Sequence, residues 1–347
     1  MNERIFASLS ISYYLSLSLL FLQPSIPEHL LVQNDKFYHY QCSYKATNRV
    51  SKAMSYVRTY RIGRALIRKI PELRLEKVPG SFLYPQWKDE HAQQAAATLP
   101  ACFFSGDFSS LEQSTHSWLL QIDGINMLID TASGNGKSRP NNLLFNKLDT
   151  PFIQHLRAAG VDPEEIDYIF NSHLHVDHVG WNTVMKNGEW QPTFPNARYI
   201  FSQKEYDFYR NPGNVKQPSE NVFEDSVEPV VSAGLDIRLT DETNFPLLGF
   251  KVHYTPGHSY DHLSLSFTSE GETAFFWGDV LHHPVQVNLP EWNSIFCEFP
   301  EQSLDSRHKA LNFAAQTRAT VFTTHFPDSS AGCVERNESG EFRWTIR

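Results

Sequence analysis

The chain has 347 residues, of which 41% are hydrophobic and 20% are charged. This composition supplies enough apolar side chains for the core of one large domain or two ordinary ones, and it excludes a globally disordered, collagenous or low-complexity protein. Four cysteines in a chain of this length exclude a disulfide-dense scaffold. The formal net charge of −9 argues against a dedicated nucleic-acid-binding protein, so we expect no nucleic-acid partner.

The N-terminal region has a composition of its own. Residues 5–22 form an uncharged and mostly apolar stretch, and residues 31–70 contain nine basic side chains and one acidic side chain. The first stretch has about the length of a short membrane span or a signal-peptide core, although serines dilute it. We therefore divide the chain into an N-terminal extension, 1–60, and a second domain, 61–347. If segment 5–22 acts as a signal or anchor, the protein is secretory or membrane-associated; otherwise it is cytoplasmic.

Beyond residue 61, strand and helix patterns alternate, which is typical of α/β architecture. A turn signal at Asp123-Gly124 predicts that the first two strands form a hairpin. Apolar runs predict strands over 117–122, 126–130, 167–171, 197–202, 250–254, 263–267, 273–277 and 320–324. Helical spacing occurs over 151–159, after residue 202, and over 303–317. Residues 79–115 are rich in Pro, Gly, Ser and Ala and are predicted to be an irregular wrap around the core.

One short segment concentrates metal-ligand side chains. His173, His175, Asp177 and His178 directly follow the predicted strand 167–171. In an extended loop His173 and His175 project to the same side, because side chains repeat with a period of two. Asp177 and His178 can then face a second ion once the chain turns. Imidazole and carboxylate ligands without a nearby cysteine suit zinc and, less selectively, manganese, cobalt or iron.

Three further candidates occur in the same context. His258, Asp279 and His325 are each the first polar residue of a ligand type after an apolar strand. Strand ends at one edge of a layered sheet form a shared crevice in which ligands bind. Together with the first segment, five histidines and two aspartates would give each of two ions three private ligands and one shared carboxylate.

The motifs HLHVDH, PGH, GD and TH, in this order, resemble those of the metallo-β-lactamase superfamily over residues 61–347. The resemblance implies an α/β (α+β) fold, a four-layer αββα sandwich with its metals at one edge of the two sheets. Carried over by position, it assigns the first metal to His173, His175 and His258, the second to Asp177, His178 and His325, and the bridging position to Asp279. The expected cofactors are two zinc ions per chain, with manganese, cobalt or iron as alternatives.

A metal pair of this kind holds a bridging hydroxide that attacks a carbonyl or phosphorus centre. Asp177 and Asp279 have alternative roles as catalytic proton shuttles, but metal ligation is our primary prediction for both. Residues 278–286 are similar to those of the branch that contains N-acyl homoserine lactonases and methyl parathion hydrolase-like enzymes. We predict a hydrolase of a small, apolar, ester-type molecule, and our primary hypothesis is a quorum-quenching lactonase. Phosphotriester or arylester hydrolysis is the alternative.

One departure from that branch concerns catalysis. Lactonases of the best-known kind have a tyrosine three residues after the bridging aspartate, whereas this chain has His282. His282 could donate a proton to the substrate oxygen, hold Asp279 in position without binding metal itself, or serve only in packing. The departure puts classical acyl-homoserine lactonase activity in question without removing it.

Four aromatic residues are also open to two interpretations. Trp181 either lines the pocket of the second metal or packs in the core. Trp292, Phe296 and Phe299 either line an apolar substrate pocket or pack in the core. The rival function classes are a mononuclear iron oxidoreductase and a membrane-tethered binding module without activity. Substrate identity and oligomeric state stay open.

Overall fold

The computed structural model describes residues 58–242 and 245–347. The strands of this part of the chain are β1 (Thr59–Ile62), β2 (Ala65–Pro79), β3 (Ser110–Ile122), β4 (Ile125–Ile129), β5 (Tyr168–Phe170), β6 (Thr183–Lys186), β7 (Glu189–Pro192), β8 (Arg198–Ser202), β9 (Asp236–Leu239), β10 (Phe250–Tyr254), β11 (Leu263–Ser269), β12 (Glu272–Phe276), β13 (Thr320–Phe322), β14 (Ala331–Arg336) and β15 (Phe342–Ile346).

The α-helices of the same part of the chain are α1 (Gly80–Leu83), α2 (Asp89–Ala96), α3 (Phe152–Ala158), α4 (Gln203–Tyr209), α5 (Glu228–Ser232), α6 (Val285–Asn288) and α7 (Pro300–Thr317). Short 3₁₀ turns cover Ala101–Phe103, Pro163–Glu165, Gly180–Asn182, Pro212–Asn214 and Gly278–Val280, and a π-helical turn covers Phe223–Val227. Helix α4 begins where the sequence predicts it, because the Ser202 side chain accepts a hydrogen bond from the Glu205 amide and so caps its first turn.

The strands form two large sheets and one small hairpin. The first sheet has the order β1-β2-β3-β4-β5-β8-β9, the second has the order β10-β11-β12-β13-β14-β15, and β6 pairs with β7. In the first sheet β4, β5, β8 and β9 are parallel, whereas β1 to β4 pair antiparallel. In the second sheet β12 and β13 are parallel, and β10 runs in their direction because β11 is antiparallel to both β10 and β12.

The core lies between the two sheets. Trp118 of β3 and Phe322 of β13 meet edge to face with ring centroids 4.9 Å apart, and the Trp118 indole N–H donates to the Thr323 carbonyl at 2.8 Å. Alternate residues of the facing strands fill this layer, as the two-residue period of a strand requires. Because a buried tryptophan removes a large apolar area from water, its truncation would cost about 3–5 kcal/mol of unfolding free energy.

Helices cover the outer faces of both sheets. On the second sheet Phe275 of β12 packs against Phe313 of α7 with ring centroids 4.9 Å apart. On the side of the first sheet, Phe152 of α3 stacks on Trp181 at 5.3 Å. The result is the predicted mixed α/β fold, in which helices flank a sandwich of two sheets. The predicted division of the chain at residue 60 is untested and stays a prediction.

The predicted elements differ from the structure mainly at the chain's less regular segments. The hairpin around Asp123-Gly124 is confirmed as β3 and β4. The prediction of an irregular wrap over 79–115 is wrong in part, because this region contains α1, α2 and the first half of β3. Strand β3 extends seven residues further toward the N-terminus than its apolar run, since its polar residues 113–117 are buried as well. The remaining strands without a prediction are β1, β2, β6, β7, β9, β14 and β15.

In the described part of the chain, no helix is both long and apolar enough to cross a membrane. The apolar stretch 5–22 lies outside the described residues. Its role as a signal or anchor, and with it the localisation, stays a prediction.

Candidate metal centre

The predicted metal ligands lie at the carboxyl ends of several strands. His173, His175, Asp177 and His178 follow β5, and His258 follows β10. Asp279 and His325 follow β12 and β13, which are parallel neighbours in the second sheet. The common strand direction within each sheet brings these loops to one edge, where all seven side chains meet.

The first predicted group is His173, His175 and His258. The Nε2 atoms of His173 and His258 lie 3.1 Å apart, and His175 Nδ1 lies 2.9 Å from His258 Nε2. His175 therefore faces the group with Nδ1, whereas the other two face it with Nε2. Three ring nitrogens converge on one point, as a shared cation would require.

The second predicted group is Asp177, His178 and His325. One Asp177 oxygen lies 3.6 Å from His178 Nε2, and the other lies 3.6 Å from His325 Nε2. The side chains of Asp177 and His175 are 15% and 12% exposed. Those of His178, His258 and His325 are 7% exposed or less. Solvent therefore reaches the centre on this side.

Asp279 lies between the two groups. Its Oδ2 atom is 3.3 Å from His258 Nε2 of the first group, and 3.3 Å and 3.1 Å from the Nε2 atoms of His178 and His325 of the second group. The Thr324 hydroxyl donates to the other carboxylate oxygen at 2.6 Å and so fixes its orientation. The structure thus brings the predicted bridging residue to the predicted bridging position.

Oxygen atoms hold the outward ring nitrogens of His178 and His325. His178 Nδ1 lies 3.0 Å from Asp130 Oδ2, and His325 Nδ1 lies 3.1 Å from the Ser114 carbonyl oxygen. When the outward nitrogen carries the proton, the inward nitrogen presents its lone pair to the centre. His178 Nε2 is buried and has no hydrogen-bond partner among the described residues. A divalent cation would give this nitrogen a partner, and the imidazole and carboxylate donors suit zinc, so the residues present fit the metal.

The electrostatics of the centre divide its histidines into two kinds. Burial lowers the pKa of His173 and of His258 well below its ordinary value, so both imidazoles are neutral and their lone pairs are free at neutral pH. Burial also acts against a charge on Asp279, but the His178, His325 and His258 imidazoles outweigh it and lower the pKa of this carboxyl well below its ordinary value. Burial likewise acts against a charge on His178 and on His325, but Asp279 and Asp177 outweigh it and raise the pKa of both imidazoles above the ordinary value. A divalent cation would displace the protons that these two histidines hold on the side of the carboxylate.

A glycine brings Asp279 into place. Gly278 has a φ of +56°, a left-handed conformation, and a Cβ at this position would lie 2.4 Å from His262 Nε2. The absence of that side chain lets the Asp279 amide donate to His262 Nε2 at 3.0 Å. Only glycine combines this backbone conformation with this close approach.

Comparison with known proteins agrees with this geometry. Residues 112–325, more than half of the chain, match the family model described as the metallo-beta-lactamase superfamily. The chain belongs to the metallo-β-lactamase superfamily. This membership implies that divalent metal is bound, and the seven residues above are the candidates for holding it. Their role as ligands stays a prediction.

The chain aligns with two named relatives over only part of its length. The chain is 25% identical over 190 residues to N-acyl homoserine lactonase AttM of Rhizobium radiobacter, which is 53% of this chain and 66% of that protein. It is 30% identical over 115 residues to an N-acyl homoserine lactonase of Bacillus cereus, which is 33% of this chain and 38% of that protein. The matched regions therefore span between about two fifths and two thirds of these relatives.

Solved structures of the superfamily share the fold more completely. A hydrolase of the β-lactamase superfamily, AbOPH, superimposes with a TM-score of 0.70 at 22% identity, over 85% of this chain and 99% of that one. AidC, described as a dizinc quorum-quenching lactonase, superimposes with a TM-score of 0.67 at 20% identity, over 84% and 97% of the two chains. At this identity the likeness shows the fold.

Sequence reasoning missed two carboxylates of this metallo-β-lactamase site. Asp130 accepts from the Ser172 amide at 2.7 Å and the Ser172 hydroxyl at 2.9 Å, and it holds His178. It is the first polar residue after β4, so the rule that selected Asp279 and His325 would also have selected it. Glu298 lies 2.9 Å from His175 Nε2 and follows no strand, so no local signal marked it.

The structure also decides two of the open aromatic interpretations. Trp181 is buried, and its indole N–H donates to Glu72 Oε1 at 2.7 Å, so it packs in the core and does not wall the metal site. Trp292 is buried against Tyr84, with ring centroids 5.8 Å apart, which favours a core role. For Phe296 and Phe299 the choice between pocket and core stays open.

His282 lies at the inner side of the centre. Its Nε2 atom is 3.5 Å from Asp279 Oδ2, and its ring is stacked parallel to that of His325 with centroids 5.7 Å apart. Both ring nitrogens are buried and lack a hydrogen-bond partner among the residues that the structure describes. Burial lowers the pKa of His282 to about 3, so the imidazole is neutral and has one N–H to donate. The described contacts therefore leave the polar atoms of this side chain available to a ligand of the site.

Proposed function

We propose that this chain is a metal-dependent hydrolase that binds two zinc ions and cleaves an ester-type bond in a small molecule, with a lactone as the primary substrate. The observation that carries the proposal is the position of Asp279 Oδ2, which lies within 3.3 Å of ring nitrogens from both three-residue groups. A single carboxylate oxygen placed in this way serves two cations more naturally than one.

The metals and the protein have separate tasks in this proposal. When bound, two divalent ions supply Lewis-acid polarisation of a carbonyl oxygen and acidify a water molecule to a pKa of about 7. Asp130 and the Ser114 carbonyl hold the protons of His178 and His325 on the outward nitrogens. The partly exposed His175 and Asp177 mark the side from which the substrate enters.

The relatives support the choice of a lactone. The aligned relatives are N-acyl homoserine lactonases, and one similar structure is a lactonase in complex with an N-acyl homoserine product. The assignment is tested by turnover of lactones, arylesters and phosphotriesters on one preparation of the full chain, with the metal content measured by elemental mass spectrometry. We expect two zinc ions per chain and the highest kcat/KM for a lactone. One iron per chain with oxygen consumption would replace this proposal by the oxidoreductase alternative.

Removal of the metal is expected to abolish turnover. Treatment with a strong chelator should remove the lactone hydrolysis of the purified chain, and addition of zinc should restore it, because the buried imidazoles alone provide no nucleophile. The measurement is the initial rate before chelation, after chelation and after zinc addition. The control is the same chelator presaturated with zinc. Hydrolysis that persists in metal-depleted protein would contradict a metal-dependent reaction.

His282 is proposed to donate a hydrogen bond to the substrate oxygen. The His282→Phe variant keeps an aromatic ring beside His325 but removes both ring nitrogens. We expect kcat for the lactone to fall about 10²-fold, because a positioned hydrogen-bond or proton donor typically contributes this much. The bound metal should stay at the wild-type amount.

The same variant separates the three possible roles of His282. A loss of metal together with activity would instead assign it to the support of Asp279. Unchanged kinetics would leave it only a packing role. Phe313→Leu, a change of an aromatic residue on the outer face of the second sheet, controls for a general packing defect.

A further inference from the structure

Glu298 is a buried carboxylate beside the metal centre. Its side chain is 5% exposed, and one oxygen, Oε1, lies 2.9 Å from His175 Nε2. The Tyr209 hydroxyl donates to the same oxygen at 2.8 Å. Lys216 lies on the solvent side, with its Nζ 3.6 Å from the second oxygen, Oε2. Within the described residues Glu298 belongs to no group of converging metal-ligand atoms, so it contacts a candidate ligand from outside the centre.

The contact selects one form of the His175 ring. An imidazole that donates its Nε2 proton to a carboxylate presents an unprotonated Nδ1 on the opposite side. In His175 that Nδ1 is the atom that lies 2.9 Å from His258 Nε2 and faces the first group. Glu298 therefore favours the tautomer in which His175 can bind a cation through Nδ1.

The main chain of Glu298 holds a second member of the same group. Its amide donates to the His258 carbonyl at 3.0 Å, and the next amide, that of Phe299, donates to the Gly257 carbonyl at 2.8 Å. Gly257 has a φ of +126°, and a Cβ there would lie 2.0 Å from the Ser303 amide nitrogen, so only glycine permits this approach. One residue thus contacts the loop that carries His175 through its side chain and the loop that carries His258 through its backbone.

We propose that Glu298 is a positioning residue that sets the His175 tautomer and joins the two loops of the first metal group. The inference rests on the proposed metal site. The carboxylate is charged and hydrogen-bonded by Tyr209, so it also raises the basicity of the His175 nitrogen that faces the centre. Loss of its charge is expected to weaken the first ion and to leave the second, which has no member in contact with Glu298.

The test is stepwise zinc binding to the metal-depleted full chain, measured by competition with a chelating dye. In Glu298→Gln, which keeps the shape but removes the charge, we expect the affinity for one ion to fall about 10-fold. In Glu298→Ala we expect a fall of about 100-fold, since loss of such a partner typically costs 10–100-fold in affinity. The second ion should bind as in wild type. Glu291→Gln, a change of a carboxylate that is 68% exposed, is the matched control.

A second readout separates positioning from a general structural role. Nitrogen NMR of the metal-depleted chain should report an Nε2-protonated His175 in wild type and a mixture of tautomers in Glu298→Ala. An equal loss of affinity for both ions, or affinities like those of Glu291→Gln, would overturn the inference while the proposed function stands. A wild-type chain that binds no zinc would overturn both.

Discussion

Asp279→Ala is expected to lower lactone turnover by at least about 10²-fold and to reduce the bound zinc from two ions to one or fewer. Loss of a residue that only supports a metal ligand typically lowers metal affinity or activity 10–100-fold. Asp279 would itself be a ligand shared by both ions, so we expect its loss to have at least this effect. Without the carboxylate, the Nε2 atoms of His178, His258 and His325 lose the one oxygen that lies within 3.3 Å of all three. The measurement is the zinc content and kcat/KM of the purified variant.

Two further variants sharpen this test. Asp279→Asn keeps the volume and removes the charge, so we expect it to lie between wild type and Asp279→Ala in zinc content. Asp241→Ala changes a carboxylate that is 67% exposed and pairs with Lys204, so zinc content and turnover should not change. Two tightly bound ions and full activity in Asp279→Ala would contradict the bridging role.

Asp130→Ala is expected to destabilise the metal-depleted chain by about 3–5 kcal/mol. The Asp130 side chain is 1% exposed and accepts from the Ser172 amide and hydroxyl while it holds His178 Nδ1. Its removal leaves several buried donors without an acceptor, and each such group costs about 1–3 kcal/mol. Urea unfolding of the metal-depleted protein gives the free energy of unfolding without a contribution from bound metal.

The control for this variant is Asp241→Ala. Asp241 pairs with Lys204 on the surface, where the two side chains are 67% and 49% exposed, so its loss should cost less than about 1 kcal/mol. We also expect Asp130→Ala to weaken the second ion, because His178 loses the partner that holds its proton on Nδ1. A free energy of unfolding within 1 kcal/mol of wild type would show that Asp130 does not hold this edge together.

Most of the candidate site could be predicted because its signal is local. The ligand residues follow apolar strands directly, and strands that run in one direction within a sheet end at the same edge. That the site edges of the two sheets meet is a result of how the sheets pack on each other. The same locality accounts for the β3-β4 hairpin, which a two-residue turn signal specifies. Asp130 belongs to this class as well, although it was not selected.

The sequence alone determined the α/β class, the positions of the strands that precede the site loops and the seven candidate ligands, because each depends on residues close together in the chain. Only the tertiary structure decided that Trp181 packs in the core, that β14 and β15 complete the second sheet, and that Glu298 reaches His175. Glu298 and His175 are 123 residues apart, and neither a strand nor a helix period relates them. Contacts of this kind arise when separate elements pack together, so no local pattern can indicate them.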